Sequence, residues 1–157
     1  MNIFILDNDI QKCVEYHCDK HVVKMILEYC QLLSTACHVH GIAVDGMYKK
    51  THVNHPCAKW VCESKNNFDY LLNLTIALLD EYTYRYGKIH ASSRLIPLFK
   101  SIINKVPNDI PMTTFAIVVK NQLGTNNAVL EYRHLYKTEK RNICTWKNRD
   151  IPSWFNE

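Results

Sequence analysis

Residues 10–39 read IQKCVEYHCDKHVVKMILEYCQLLSTACHV, and the spacing of their apolar side chains decides the fold. Val14, Cys18, Val22, Met25, Tyr29, Leu32, Leu33 and Ala36 recur every three or four residues, which makes one buried stripe on an α-helix. Asp7-Asn8-Asp9 offers a cap and Gly41 a stop, so the pattern predicts one long helix from Ile10 to about Val39. Upstream, the apolar run Ile3 to Leu6 predicts a brief strand or a buried arm.

Working outward, Val61, Ser64, Phe68, Leu71, Leu72, Thr75, Leu79, Tyr82 and Tyr86 keep helical spacing, and Pro56 suits a first turn. They predict a second helix over about Cys57 to Tyr86, central because Tyr70 to Leu79 is apolar almost all round. Residues 41–56 between the two helices read as a long surface loop, and such loops in compact domains are usually functional. A shorter helical stretch over about Ser92 to Lys105 is interrupted by Pro97. Thr113 to Gln122 is compatible with helix or strand, and Asn127 to Arg141 reads as the last helix. The tail after Ile143 carries Trp146, Trp154 and Phe155, too costly to leave in water, so it should pack back. The expected fold class is all-α: a single helical bundle over residues 1–157 with a short N-terminal extended segment and an aromatic tail.

A length of 157 residues favours one domain. With 47% hydrophobic and 22% charged residues, disordered, collagenous and coiled-coil classes are excluded. The net charge of +4 permits a phosphate-bearing partner. Seven cysteines without a C-x-x-C pair, no signal-peptide pattern and no apolar run near membrane-spanning length predict free thiols in a reducing cytosol and no membrane partner.

Four regions could carry chemistry. His17, Lys20, His21 and Lys24 fall within one stripe of the first helix, a rim suited to holding phosphate, with a His for proton transfer or a Lys for nucleophilic attack. Asp19 points the other way around that helix; the bland alternative is a solvated face with two packed His. The loop Thr51-His52-Val53-Asn54-His55-Pro56 places His52, Asn54 and His55 before a helix N-terminus, as anion or base-edge readers or simply as a cap by Asn54 or His55. Tyr82, Arg85 and Lys88 interleave aromatic and cationic groups, as do Arg133, Lys137, Lys140, Arg141 and the tail. A metal site is disfavoured, because Lys20 and Lys24 would repel a dication and no H-E-x-x-H occurs; no cofactor is expected.

The blocks YHCDKHVVKM (16–25), THVNHPC (51–57), EYTYRYGK (81–88) and WKNRDIPSWF (146–155) resemble a family of small proteins from tailed phages and large DNA viruses. The chain is also similar in plan to the small viral pyrimidine-dimer DNA glycosylases. That resemblance implies an N-terminal amine as nucleophile, an acid on the first helix, here Asp19 or Glu15, and Arg and Lys on the phosphates. Asn2 after Met1 departs from the small residue expected there.

The leading expectation is a viral glycosylase or lyase that flips a base in DNA and attacks the sugar carbon, with Lys20 as amine, Asp19 as acid, and His17 or His21 as proton carrier. Lys24, His52, Asn54, His55, Tyr82, Arg85, Lys88, Arg133 and Lys137 would hold the nucleotide and its phosphates. The rival is an anti-defence protein that sequesters a host nucleotide messenger, or a phosphodiesterase that cleaves it with His17 and His21. Either would act in the host cytoplasm, or the nucleus of a eukaryotic host, as a possible homo-oligomer.

Overall fold

The computed structural model describes all 157 residues and contains helices but no strand. Six α-helices run α1 (Ile10–Tyr16), α2 (Asp19–Val39), α3 (Pro56–Glu63), α4 (Lys65–Tyr86), α5 (Ile96–Ile102) and α6 (Ala128–Lys137), with short 3-10 turns between and after them. The long helices α2 and α4 pack on each other, α3 lies against both, and α1 closes on α4. One apolar core of 37 buried residues runs from Ile3 through these helices to Phe155. The stripe on α2 buries Val22, Met25, Ile26, Tyr29, Leu32, Leu33 and Ala36, and α4 buries Phe68, Leu71, Leu72, Leu74 and Leu78.

Each of the two long helices expected from periodicity is broken once. The first breaks at His17-Cys18, because the His17 ring nitrogen Nδ1 takes the Cys13 carbonyl at 2.7 Å that a continuing helix would offer to the His17 amide. The Asp19 N–H then donates to Thr145 O at 2.8 Å, far along the chain. The second breaks at Ser64, whose hydroxyl caps α4 by accepting from the Asn67 amide at 3.0 Å, while Asn67 Nδ2 donates to Trp60 O at 2.7 Å. Gly87 ends α4 in the left-handed conformation at φ 63°, its N–H donating to Thr83 O.

Pro97 does not break a helix: it occupies the first turn of α5, where its missing N–H has no partner to lose. Residues 113–122 are neither helix nor strand. They are held by side chains: Asn67 brackets Thr113, and the Tyr132 hydroxyl donates to Ala116 O at 2.9 Å and accepts from Val118 N at 3.2 Å. α6 is shorter than the pattern suggested, ending at Lys137.

The N-terminal segment is a buried arm. Ile3, Phe4, Ile5 and Leu6 are buried with no strand neighbour, and side chains satisfy the backbone of Phe4 and Leu6. Phe4 N–H donates to the Tyr29 hydroxyl at 3.1 Å, Leu6 N–H donates to Cys13 Sγ, the Cys13 thiol donates to Phe4 O, and Arg133 Nε donates to Leu6 O at 2.8 Å. The aromatic tail packs back as expected: Trp146 Nε1 donates to Tyr16 O at 3.0 Å, and Trp154 meets Tyr16 and Tyr136 edge-on or tilted.

Candidate active site

The residues of the H-C-D-K-H block, His17 to His21, divide between the N-terminal arm, an ionic junction and solvent. His17 is fully buried, with Nδ1 donating to Cys13 O and Nε2 accepting from the Tyr29 hydroxyl at 2.9 Å. The same hydroxyl accepts from Phe4 N–H, so His17 and Tyr29 clamp the arm. Burial pushes the His17 ring down to about 3, with the Cys13 carbonyl opposing. His21 lies face to face with Phe4, ring centroids 4.2 Å apart, and its Nδ1 meets the Tyr136 hydroxyl at 2.6 Å. Both histidines serve the path of the arm; with both nitrogens occupied, His17 has no route to exchange a proton with a bound substrate.

Asp19 faces the opposite side, as its position on the helix requires. Its carboxylate accepts from Arg85 Nη1 at 3.0 Å, from the Thr145 hydroxyl at 2.8 Å and from Lys147 N–H at 2.9 Å. Arg85 is buried in this junction rather than free for a phosphate: Nε pairs with Glu81 at 2.7 Å and Nη2 donates to Glu15 O at 3.0 Å. Arg149 completes it with two bonds to Glu81, each 3.0 Å, while stacking over Tyr84 at 4.0 Å. The cleft lined by Glu15, Tyr84, Asn148, Arg149, Asp150 and Ser153 opens beside this saturated network.

The other nominated side chains are scattered. Arg133 is committed to Asp7 and Leu6 O, with its guanidinium over Tyr16 and Trp154. Tyr82 packs on Tyr86 and His90; Lys88 and Asn54 are exposed, and Lys137 is half-buried. His55 caps α3, its Nδ1 accepting from Cys57 N–H at 3.1 Å. His52 is exposed, with the Thr51 hydroxyl against its ring nitrogen.

What the arm brings into place is its own end. The Met1 amine lies 3.2 Å from Glu28 Oε2, and Lys24 Nζ lies 3.5 Å from Glu28 Oε1. Glu28 is one helical turn beyond Lys24 on the stripe that also carries Lys20 and Lys24, both exposed; Lys20 has no ion-pair partner. The amine also reaches His55: burial first, then the positive charge of the amine and His52, hold that ring below its usual range. Asn2, tied by Nδ2 to Val118 O at 2.9 Å, opens onto a groove lined by Pro56, Val118, Lys120, Leu135 and Lys140. Sequence reasoning did not nominate Glu28, which the structure pairs with the Met1 amine. Its signal was present, as the one acid on the stripe of His17, Lys20, His21 and Lys24.

No group of three His, Cys, Asp or Glu side chains is arranged to hold a metal ion, and no helix is long and apolar enough to cross a membrane. By fold and site, the class is a small all-helical protein that presents a carboxylate-paired amine on a lysine-bearing face. The family is more particular: the family model described as pyrimidine dimer DNA glycosylase matches residues 1–94, more than half of the 157, and the chain belongs to that family. The match contains the arm, Glu28 and α1 through α4, and it makes DNA the expected partner of a glycosylase-like function. No curated protein and no solved structure matches the chain.

Proposed function

We propose that the protein is a DNA glycosylase with an associated lyase step, in which the Met1 α-amine is the nucleophile and Glu28 the acid–base partner. The observation that carries this reading is the 3.2 Å approach of the amine to Glu28 Oε2, inside the region that matches the family. An amine must shed a proton before it attacks, and Glu28 is the carboxylate within reach to take it. The lone pair adds at the sugar carbon of the damaged nucleotide and the glycosidic C–N bond breaks. Its electrons leave on the base, which takes up one of the amine's protons; the C1′–O4′ ring bond then opens onto O4′, which takes the proton held by Glu28, and the sugar remains bound to the amine as a protonated imine. Lys20, Lys24, Lys120 and Lys140 flank this face and would hold backbone phosphates. The resemblance to phage and large-DNA-virus proteins supports a viral gene as the source.

The test is borohydride reduction of a mixture of the protein with duplex DNA carrying a pyrimidine dimer, followed by peptide mapping. The expected result is a covalent protein–DNA adduct on the Met1 peptide. An adduct on the Lys20 peptide would move the nucleophile to that unpaired side chain, and absence of any adduct on DNA that the protein binds would reject amine catalysis.

A further inference from the structure

The arm ends in two residues that no helix or sheet holds. Neither Met1 nor Asn2 makes a backbone-to-backbone hydrogen bond, and chain ends of that kind fray unless they are tied down. Besides the contact of the Met1 amine with Glu28, one polar tie is present: Asn2 Nδ2 donates to Val118 O at 2.9 Å. Val118 is itself anchored, because its N–H donates to the Tyr132 hydroxyl at 3.2 Å and that hydroxyl donates to Ala116 O at 2.9 Å. Tyr132 is fully buried in α6, and its ring meets Phe4 of the arm edge-on, centroids 5.7 Å apart. One side chain of α6 therefore holds both the arm and the segment to which the arm's end is tied. We propose that Asn2 is a positioning residue for the Met1 amine, its side-chain amide locking the end of the arm to Val118 so that the amine stays against Glu28.

This role rests on Met1 being the nucleophile, as proposed above. Rotations within the first two residues are what would swing a terminal amine away from its partner. The Met1 side chain, 9% exposed, packs against the core, and the tie of Asn2 to Val118 stops the rest of that freedom. Val118 O is an acceptor, so residue 2 has to supply a donor, and the Asn2 amide does. An amine displaced by about 1 Å loses the geometry of attack, at a cost of about 10²-fold in rate. DNA affinity, carried by phosphate contacts, does not depend on that displacement. Val118 and Tyr132 lie beyond residues 1–94, so the part of the chain outside the family match sets the amine that lies inside it.

The experiment measures single turnover at saturating protein on DNA carrying a pyrimidine dimer, with DNA affinity and melting temperature alongside. Asn2→Leu keeps the branched shape and removes the donor, and intact mass establishes that the variant still begins at Met1. The expected result is a rate constant lowered by about 10- to 100-fold, with the reacting fraction unchanged, DNA affinity within about twofold and melting temperature within about 2 °C. Tyr132→Phe should slow the same step, and the double variant should be no slower than Asn2→Leu by itself, because both act through one tie. A poorly folding Tyr132→Phe leaves the Asn2→Leu measurement standing. A lower melting temperature and a smaller reacting fraction with an unchanged rate constant would make Asn2 a structural residue only and overturn the proposal. A variant indistinguishable from the unsubstituted chain, with borohydride still trapping DNA on the Met1 peptide, would overturn the positioning role and leave the nucleophile in place. Trapping of the unsubstituted chain on its Lys20 peptide would overturn both, because the amine that Asn2 places would not be the one that reacts.

Discussion

Two carboxylates on the same helix face opposite fates. Asp19, at the first turn of α2, accepts from Arg85, the Thr145 hydroxyl and the Lys147 amide, and the neighbouring Glu81 is held by Arg85 and Arg149. Glu28, in the middle of α2, meets only two ammonium groups, at 3.2 and 3.5 Å. A carboxylate whose lone pairs are all engaged fixes geometry and has nothing left to exchange. One that meets only a terminal amine and an exposed lysine can pass a proton and tolerate a substrate between itself and its partners. The difference teaches that an acid near a basic stripe is best judged by how many of its lone pairs are already committed.

The largest expected effect breaks the saturated side. Arg85→Met would leave Glu81 buried with Arg149 alone and strip Asp19 of its cation, destabilising the fold by about 3–5 kcal/mol in a denaturant titration. A loss below about 1 kcal/mol would mean that the junction is replaceable packing. On the sparse side, Glu28→Gln keeps shape and removes the proton acceptor. Turnover on dimer-containing DNA should fall roughly 10²- to 10⁴-fold while the melting temperature stays within about 2 °C. A large thermal shift with intact turnover would reverse the two roles.

That contrast was only partly written in local sequence. The buried stripes of α2 and α4 are properties of neighbouring residues, so their spacing exposed them. The breaks at His17 and Ser64 were not visible, because apolar spacing carries no trace of the side chains that make them, the His17 ring on Cys13 O and the Ser64 hydroxyl on the Asn67 amide, nor of the distant Thr145 and Asn108 that receive the Asp19 and Lys65 amides. Asp19 itself read as a catalytic acid until Arg85, Thr145 and Lys147 arrived from elsewhere in the chain. Glu28 stood on the legible stripe, yet its partner is the end of an arm whose course depends on Tyr29, Arg133 and the Phe4–His21 stack. Helices are local in this protein and the site is not.

The arm's clamp supplies a pH test of the sparse side. His17 is held down to about 3 in the folded protein by burial, whereas an unfolded chain protonates it near 6.5. The unfolded state therefore binds the extra proton over the window between those values, and stability is lost as pH falls through it, by about 1.4 kcal/mol per unit at the steepest. Denaturation midpoints followed from pH 7 to pH 4 should show that slope, and His17→Gln should flatten it. An unchanged slope in the variant would assign acid sensitivity to other groups.

The smallest expected effect separates a phosphate contact from a nucleophile. Lys20 is exposed and makes no ion pair, so removing its charge costs the fold little. If it only meets a phosphate, Lys20→Ala should weaken DNA binding a few-fold at low salt and reduce the slope of log affinity against log salt by about 0.9. Single-turnover cleavage at saturating protein should then be unchanged, because the Met1 amine and Glu28 remain paired. Cleavage that disappears under saturation, with binding intact, would transfer the chemistry from the arm to α2. The His17–Tyr29 clamp would then be a structural anchor for the arm, without a part in placing the reacting amine.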